Sequence, residues 1–462
     1  MIYRFKGVAA LAGIWLLSAC GCAAVEAPIL GGGGRATFNV AGFGAGADDD
    51  VDDTIAFRHA IEAVRQLGSG TVFVPAGRYL LGPIDLVNNL TLRLDPGTRL
   101  VFRDEPDLYP LVATRWAGVM QPARRPLVWA DKCSNITITG GTIDGSGARW
   151  WPPQRAPATA RATNGASTAA VDPGEADPAL RRPPLVQLRD CQNVRIEAVS
   201  LVNPPMAALH ILFSTGVQIR DVRVAAPPEA TSADGMVVDS SRNVLIERCR
   251  AELGDADAIA LRSGRDEDGR RMNRPTEGVT VRNCAIGAAA GGLVIGTEMS
   301  GGVRNVRFSD CRFEGTAIGV LIKTQRGRGG SVEGVTISNL SMVGVAVPFQ
   351  ITSRHVEGEP EVFSERTPHI SGIRFSGMIA KGAIRAGILE GLEESPVRAI
   401  EFRDINLAAR YGITCDWASG IRFRNAMIAT DFGPAMIRSN TSDLRLDDWQ
   451  ETTPEAATRP AS

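Results

Sequence analysis

Four short segments of this chain carry residue types that together suit acid–base chemistry. Ser232-Ala233-Asp234-Gly235 supplies one carboxylate, and Gly254-Asp255-Ala256-Asp257 supplies two more. Gly296-Thr297-Glu298-Met299 adds a fourth acid within a glycine-rich stretch, and Leu321-Ile322-Lys323-Thr324 adds a cation. Arg262 follows the second segment closely. One carboxyl group that gives a proton and others that take one from water are what cleavage of a sugar linkage needs, and a lysine attracts an anionic substrate group. Each aspartate also sits beside Gly or Ala in a turn-like setting, where Asp commonly bonds its own backbone. The chemical reading therefore depends on whether the chain brings these segments together.

A repeat suggests how it does so. From Cys133 onward a small or polar residue precedes alternating Val/Ile: Asn135-Ile136, Asn193-Val194, Gly216-Val217, Asn243-Val244, Gly278-Val279, Asn305-Val306, Gly334-Val335, Gly372-Ile373, Ala399-Ile400 and Gly420-Ile421. The spacing, roughly 21–29 residues where no insertion intervenes, is that of a solenoid. Period-two alternation predicts short strands with one buried face, and no 3.6-residue period supports a helical repeat. Cys249, Cys284 and Cys311 each close such a strand, which predicts free thiols stacked inside rather than disulfides. If Ile259 and Leu261 face inward, strand parity carries Asp257 inward too. An unpaired buried carboxylate is costly, so both Asp255 and Asp257 are expected in the turn before the strand.

Residues 36–110 form a distinct opening module. A strand and glycine-rich turn lead to Asp53-Thr54, the expected cap of an amphipathic helix bearing Ile55, Phe57, Ile61 and Val64, which Gly68-Ser69-Gly70 ends. Such a helix covers the open end of a sheet stack. The segment 154–184, rich in Ala, Pro and Thr, has no apolar period and is read as a mobile insertion, and 451–462 as a disordered tail.

The 462 residues, 50 of them Gly with 6% aromatics, suit many short strands joined by tight turns. A net charge of −1 carries no nucleic-acid footprint. Arg4 and Lys6 precede an apolar run to Leu17, and Leu17-Ser18-Ala19-Cys20 resembles a bacterial lipobox. The expectation is export from a Gram-negative cytoplasm to the periplasm or outer membrane. Residues 1–20 then form a signal peptide, Cys20 is lipidated and 21–35 form a tether, so that the lipid is the only contact with membrane.

Four stretches carry a family resemblance. The opening module, from Gly44 through Val64 and on through Gly68 to Leu86, resembles that of the pectin-lyase-like right-handed β-helix superfamily. Gly140 to Trp151, Arg182-Pro183-Pro184-Leu185 and Gly296 to Val303 resemble glycoside hydrolase family 28, the polygalacturonase family. That family carries Asn-Thr-Asp, Gly-Asp-Asp, Gly-His-Gly and Arg-Ile-Lys motifs. The resemblance implies an inverting hydrolase in which one aspartic acid protonates the departing oxygen and two activate water. Here Asp234 keeps the acid of the first motif. Ala256 interrupts the second, between Asp255 and Asp257. Ala290 stands where the histidine is expected, and Leu321 replaces the arginine before Lys323.

The fold expected is all-β, a single-stranded right-handed parallel β-helix over 36–450 with an amino-terminal capping helix. The resemblance implies hydrolysis of α-linked, galacturonic-acid-containing pectic polysaccharide or oligosaccharide by Asp234, Asp255 and Asp257. Lys323, Glu298 and Arg262 are expected to bind substrate, with no metal or other cofactor and a monomeric chain. Two alternatives stay open: a glycan-binding β-helix without turnover, and a calcium-dependent lyase on the same fold.

Overall fold

In the computed structural model, residues 29–30, 36–151, 177–356 and 366–452 are described. The signal and lipobox, the tether apart from Ile29–Leu30, most of the insertion and the tail beyond 452 lie outside them. The chain winds as a right-handed parallel β-helix. One set of strands, Val128–Asp131, Val186–Arg189, Leu209–Leu212, Met236–Asp239, Asp257–Arg262, Gly291–Ile295, Ile318–Lys323 and Val347–Thr352, stacks in parallel from coil to coil. A second set runs from Ser134–Thr139 through Arg242–Glu247 to Val303–Ser309 and beyond.

The repeat anchors have a conformational cause. Asn135, Asn193, Gly216, Asn243, Gly278, Asn305, Gly334, Gly372, Ala399 and Gly420 all have φ between 53° and 68°. Each coil turns its corner through a left-handed residue, which Asn and Gly adopt most readily. Inside, side chains of a kind stack on one another. Cys249, Cys284 and Cys311 form one thiol row, free and buried. Phe375, Phe402 and Phe423 form another, with successive ring centroids 4.7 and 4.5 Å apart.

The helix Thr54–Leu67 covers the first coil with Phe57, Ile61 and Val64 buried, and ends at Gly68 in the left-handed region. Its start differs from the expected cap. Asp53 turns its carboxylate to the Gly46 N–H, and Asp52 accepts from Thr54 N instead. The end of the presumed insertion differs as well. Within 177–184, Arg181 is buried, donates to the Pro122 carbonyl and lies over the Trp116 ring, while Arg182 donates to the Pro205 and Thr231 carbonyls. The guanidinium groups pin these residues to the body of the coil although the stretch has no apolar period. Trp150 packs edge-on against Tyr109, and Trp151 donates to the Pro204 carbonyl.

Sequence reasoning missed a hairpin. Leu111–Trp116 and Val119–Arg124 form an antiparallel hairpin outside the coil order. Ala117 and Gly118, with φ 47° and 78°, make its two-residue turn, and that Ala-Gly pair between alternating residues was its sequence signal.

Candidate active site

The first strand set carries an irregularity that decides where its acids point. In each of these coils two consecutive residues face the core: Ala208-Leu209, Gly235-Met236, Ala258-Ile259, Gly292-Leu293 and Gly319-Val320. The large members and the alanines belong to the main core cluster. A Cβ added to Gly292 or Gly319 would strike the buried side chains of Phe313 or Met342. The first residue of each pair is therefore small. The doubled inward step reverses the parity of the residue before it, which faces outward.

That residue is Ala207, Asp234, Asp257, Gly291 and Ile318 in successive coils, and Val347, paired with Ile318, continues the outward row. Ala207, Ile318 and Val347 belong to a small apolar cluster separate from the core. Asp257 thus begins its strand rather than lying in the turn as parity suggested. It escapes burial in the core because Ala258 and Ile259 both point inward. Asp255 does lie in the turn, half-buried.

The row brings two of the expected acids together. Asp234 Oδ1 accepts from the Asp257 N–H at 3.1 Å, and its Oδ2 meets Arg262 Nη2 at 2.6 Å. Asp257 Oδ2 lies 3.3 Å from Lys323 Nζ, and Arg262 Nε lies 3.7 Å from Glu298 Oε2. Burial acts to lower the Arg262 pKa, but Glu298, Asp234 and Asp257 outweigh it and hold the guanidinium above its usual value. Two cations thus face three carboxylates, and all five side chains come from positions singled out in the sequence. Leu321 joins the apolar outer cluster two residues from Lys323.

The position of the missing histidine needs correction. Gly291 pairs with Asp257, and a Cβ built on it would lie 2.8 Å from Asp257 Oδ1. A side chain reaching the carboxylates from this coil would therefore stand at 291, one residue beyond Ala290.

The hairpin runs along the ends of these strands, from Gln187 and Asp239 to Asp268, and its turn meets Arg265 and Glu298. A Cβ on Gly118, at its turn, would come within 2.6 Å of Arg265 Cβ and 2.9 Å of Glu298 Cγ. Arg115, from the same hairpin, is fully buried, bonds Asp239 Oδ1 at 2.6 Å and Ser240 Oγ at 2.7 Å, and lies over Phe213. Thr114 donates to Gln187, whose amide then donates to His210 Nδ1, leaving Nε2 facing Asp239 at 3.6 Å. Burial would raise the Asp239 carboxyl, but Arg115 and His210 outweigh it and hold it well below the usual range. Neither Arg115 nor Asp239 was picked out from the sequence, because their meeting depends on a hairpin laid across distant coils.

A surface concavity of about 850 Å³ lies on the second strand set among Gln218, Leu245, Thr280, Arg307 and Thr336. It holds no paired carboxylates, so the acid row remains the site able to perform hydrolysis. Among the described residues no group of His, Cys, Asp and Glu is arranged to hold a metal.

Known proteins resemble this chain over most of its length. A family model described as "Glycosyl hydrolases family 28" matches residues 68–420. A probable polygalacturonase of Vitis vinifera is 28% identical over 400 residues, covering 82% of this chain and 77% of that protein. An endo-polygalacturonase of Pectobacterium carotovorum is 26% identical over 78% of this chain and 86% of its own. The solved hyperthermoactive exopolygalacturonase of Thermotoga maritima is 28% identical with a TM-score of 0.70, covering 92% of this chain and 94% of that one.

Proposed function

Because the chain belongs to glycosyl hydrolases family 28, and so is a glycoside hydrolase, we propose that it cleaves α-linked galacturonic-acid chains of pectic type at the row holding Asp234 and Asp257. The observation that carries this reading is the meeting of these two carboxylates, from consecutive coils, with a cation beside each. As neighbours, they are suited to orient one water and take its proton. Asp255, in the adjoining turn, gives its proton to the departing glycosidic oxygen. Water attacks the anomeric carbon from the opposite face, so the product anomer is inverted. Lys323 and Arg262 draw the uronate carboxylates in, and Glu298 fixes Arg262. The binding-only and lyase alternatives have no comparable observation in their favour.

The hairpin turn beside Glu298 and Arg265 narrows one flank of the site, which favours attack at a chain end. Incubation with polygalacturonate and rhamnogalacturonan, followed by a reducing-end assay and NMR of the first-formed anomer, tests the reading. Monosaccharide release with inverted configuration is expected. Binding without new reducing ends, or unsaturated product, would overturn it.

We also propose export and lipidation at Cys20, supported by the Arg4-to-Cys20 sequence alone. Incorporation of labelled fatty acid, lost in Cys20→Ala, is the check. Among the described residues no helix is long and apolar enough to cross a membrane.

A further inference from the structure

The outward row does not stop at the site. Beyond Asp257 it passes through Gly291, Ile318 and Val347 and continues at Arg385, whose N–H donates to the Ala346 carbonyl, and then at Tyr411. Five strand spacings of about 4.8 Å put Tyr411 about 24 Å from Asp257 along the axis.

There the surface changes character. Tyr411 and Phe432 are exposed, at 41% and 55%, with ring centroids 5.9 Å apart and planes tilted by 35°. Arg385 lies over Tyr411 at 5.7 Å, and the exposed Arg410 spans Tyr411 at 5.9 Å and Phe432 at 5.7 Å. Arg385 donates to Thr414 Oγ1 at 2.8 Å, and among the described residues neither arginine contacts a carboxylate. Of the immediate sequence neighbours of these four residues, only Asp431 is acidic. Two adjacent exposed rings beside two uncompensated guanidinium groups are more than the packing of these coils requires.

We propose that Arg385, Arg410, Tyr411 and Phe432 form a second binding site for the polyuronate, holding the chain remote from the scissile bond. The inference rests on the galacturonan reading above for the class of ligand. Aromatic faces suit the apolar face of a pyranose ring, and guanidinium groups pair with uronate carboxylates. The strand spacing is close to the advance of one sugar residue in an extended polyuronate. A chain cleaved beside Asp257 therefore reaches Tyr411 only when it extends roughly five further residues along the row. Gly291, Ile318 and Val347 lie between, without a charge to compete for the carboxylates.

The test compares kcat/KM on high-molecular-weight polygalacturonate with that on the trimer, which is too short to span the row. Arg385→Glu/Arg410→Glu is expected to lower the polymer-to-trimer ratio about tenfold, because two favourable exposed charge contacts become repulsive. Tyr411→Leu/Phe432→Leu, which keeps apolar bulk, is expected to lower it about threefold. Melting temperature confirms folding in each case, and Arg410→Glu alone, at an exposed position, serves if a double variant unfolds. Loss of affinity for the polymer in gel electrophoresis accompanies the kinetic change. An unchanged ratio with normal turnover would overturn the second site and leave the hydrolase reading standing. Absence of turnover on polymer and trimer in the wild-type protein would overturn both.

Discussion

Asp234 accepts a hydrogen bond from the backbone N–H of Asp257 at 3.1 Å, so the carboxylate of one coil is fixed by the first residue of the next coil's strand. The two acids are 23 residues apart in sequence and stand in adjacent rungs of one row. Their relative position is set by the coil-to-coil backbone bonds Ala208 N–H to Asp234 O and Gly235 N–H to Asp257 O.

That fixation predicts the mutational pattern. Asp234→Asn and Asp257→Asn should each lower kcat about 10²–10⁴-fold with little change in melting temperature. Asp255→Asn should lose as much on polygalacturonate but recover on a glycoside with an activated leaving group, since that substrate needs no proton donor. Equal losses on both substrates would remove Asp255 from the acid role.

The hairpin turn offers a second prediction. Gly118→Val places a branched side chain against Arg265 and Glu298 at a left-handed position, so the tip must lift from the site. KM should rise several-fold, and oligomeric products should appear beside the monosaccharide. Chromatography of early products checks this; an unchanged profile would show that the hairpin does not set the mode of attack.

Arg115 and Asp239 give a pH-dependent prediction. The folded pKa of Asp239 is depressed, so its stabilising contribution is present above the usual Asp value of about 3.9 and is lost as pH falls toward the folded value. Arg115→Met leaves a buried carboxylate without its cation and should cost about 3–5 kcal/mol at neutral pH. In the variant the sign reverses: burial without Arg115 raises the Asp239 pKa above the usual value of about 3.9, so protonation relieves the buried charge and the deficit already shrinks as pH falls through the raised value toward about pH 4. Urea unfolding between pH 3 and 7 measures it.

The corner residues predict a backbone effect. Asn193 has φ 61° and is exposed, so Asn193→Val should destabilise by about 1–2 kcal/mol while Asn193→Gly stays near neutral. Denaturant midpoints of the two variants separate conformation from loss of the Asn193–Asn135 side-chain bond, which both remove.

The internal cysteines should be inert in the native protein. Burial pushes Cys191 up to about 12 and Cys415 to about 11. Alkylation at pH 8 should spare Cys133, Cys191, Cys249, Cys284, Cys311 and Cys415 until the protein is unfolded without reductant, when all become reactive. Peptide mass mapping distinguishes them individually.

By itself the sequence determined the coil. The Asn/Gly corners, the period-two strands and the capping helix are local signals, because a left-handed φ, a pleat and an amphipathic face each act within a few residues. It also singled out Asp234, Asp257, Arg262, Glu298 and Lys323, since motif spacing in a solenoid translates directly into neighbouring rungs. Only the tertiary structure decided how they face. Asp257 points outward through the doubled inward step at Ala258-Ile259, a departure from simple alternation that parity counting could not register. The depth of packing of Ala258, or of Gly292 against Phe313, exists only once coils are stacked. The Arg115–Asp239 pair and the row from Asp257 to Tyr411 belong to the same category. They join residues over a hundred positions apart, and no local preference of the chain encodes which coil comes to rest beside which.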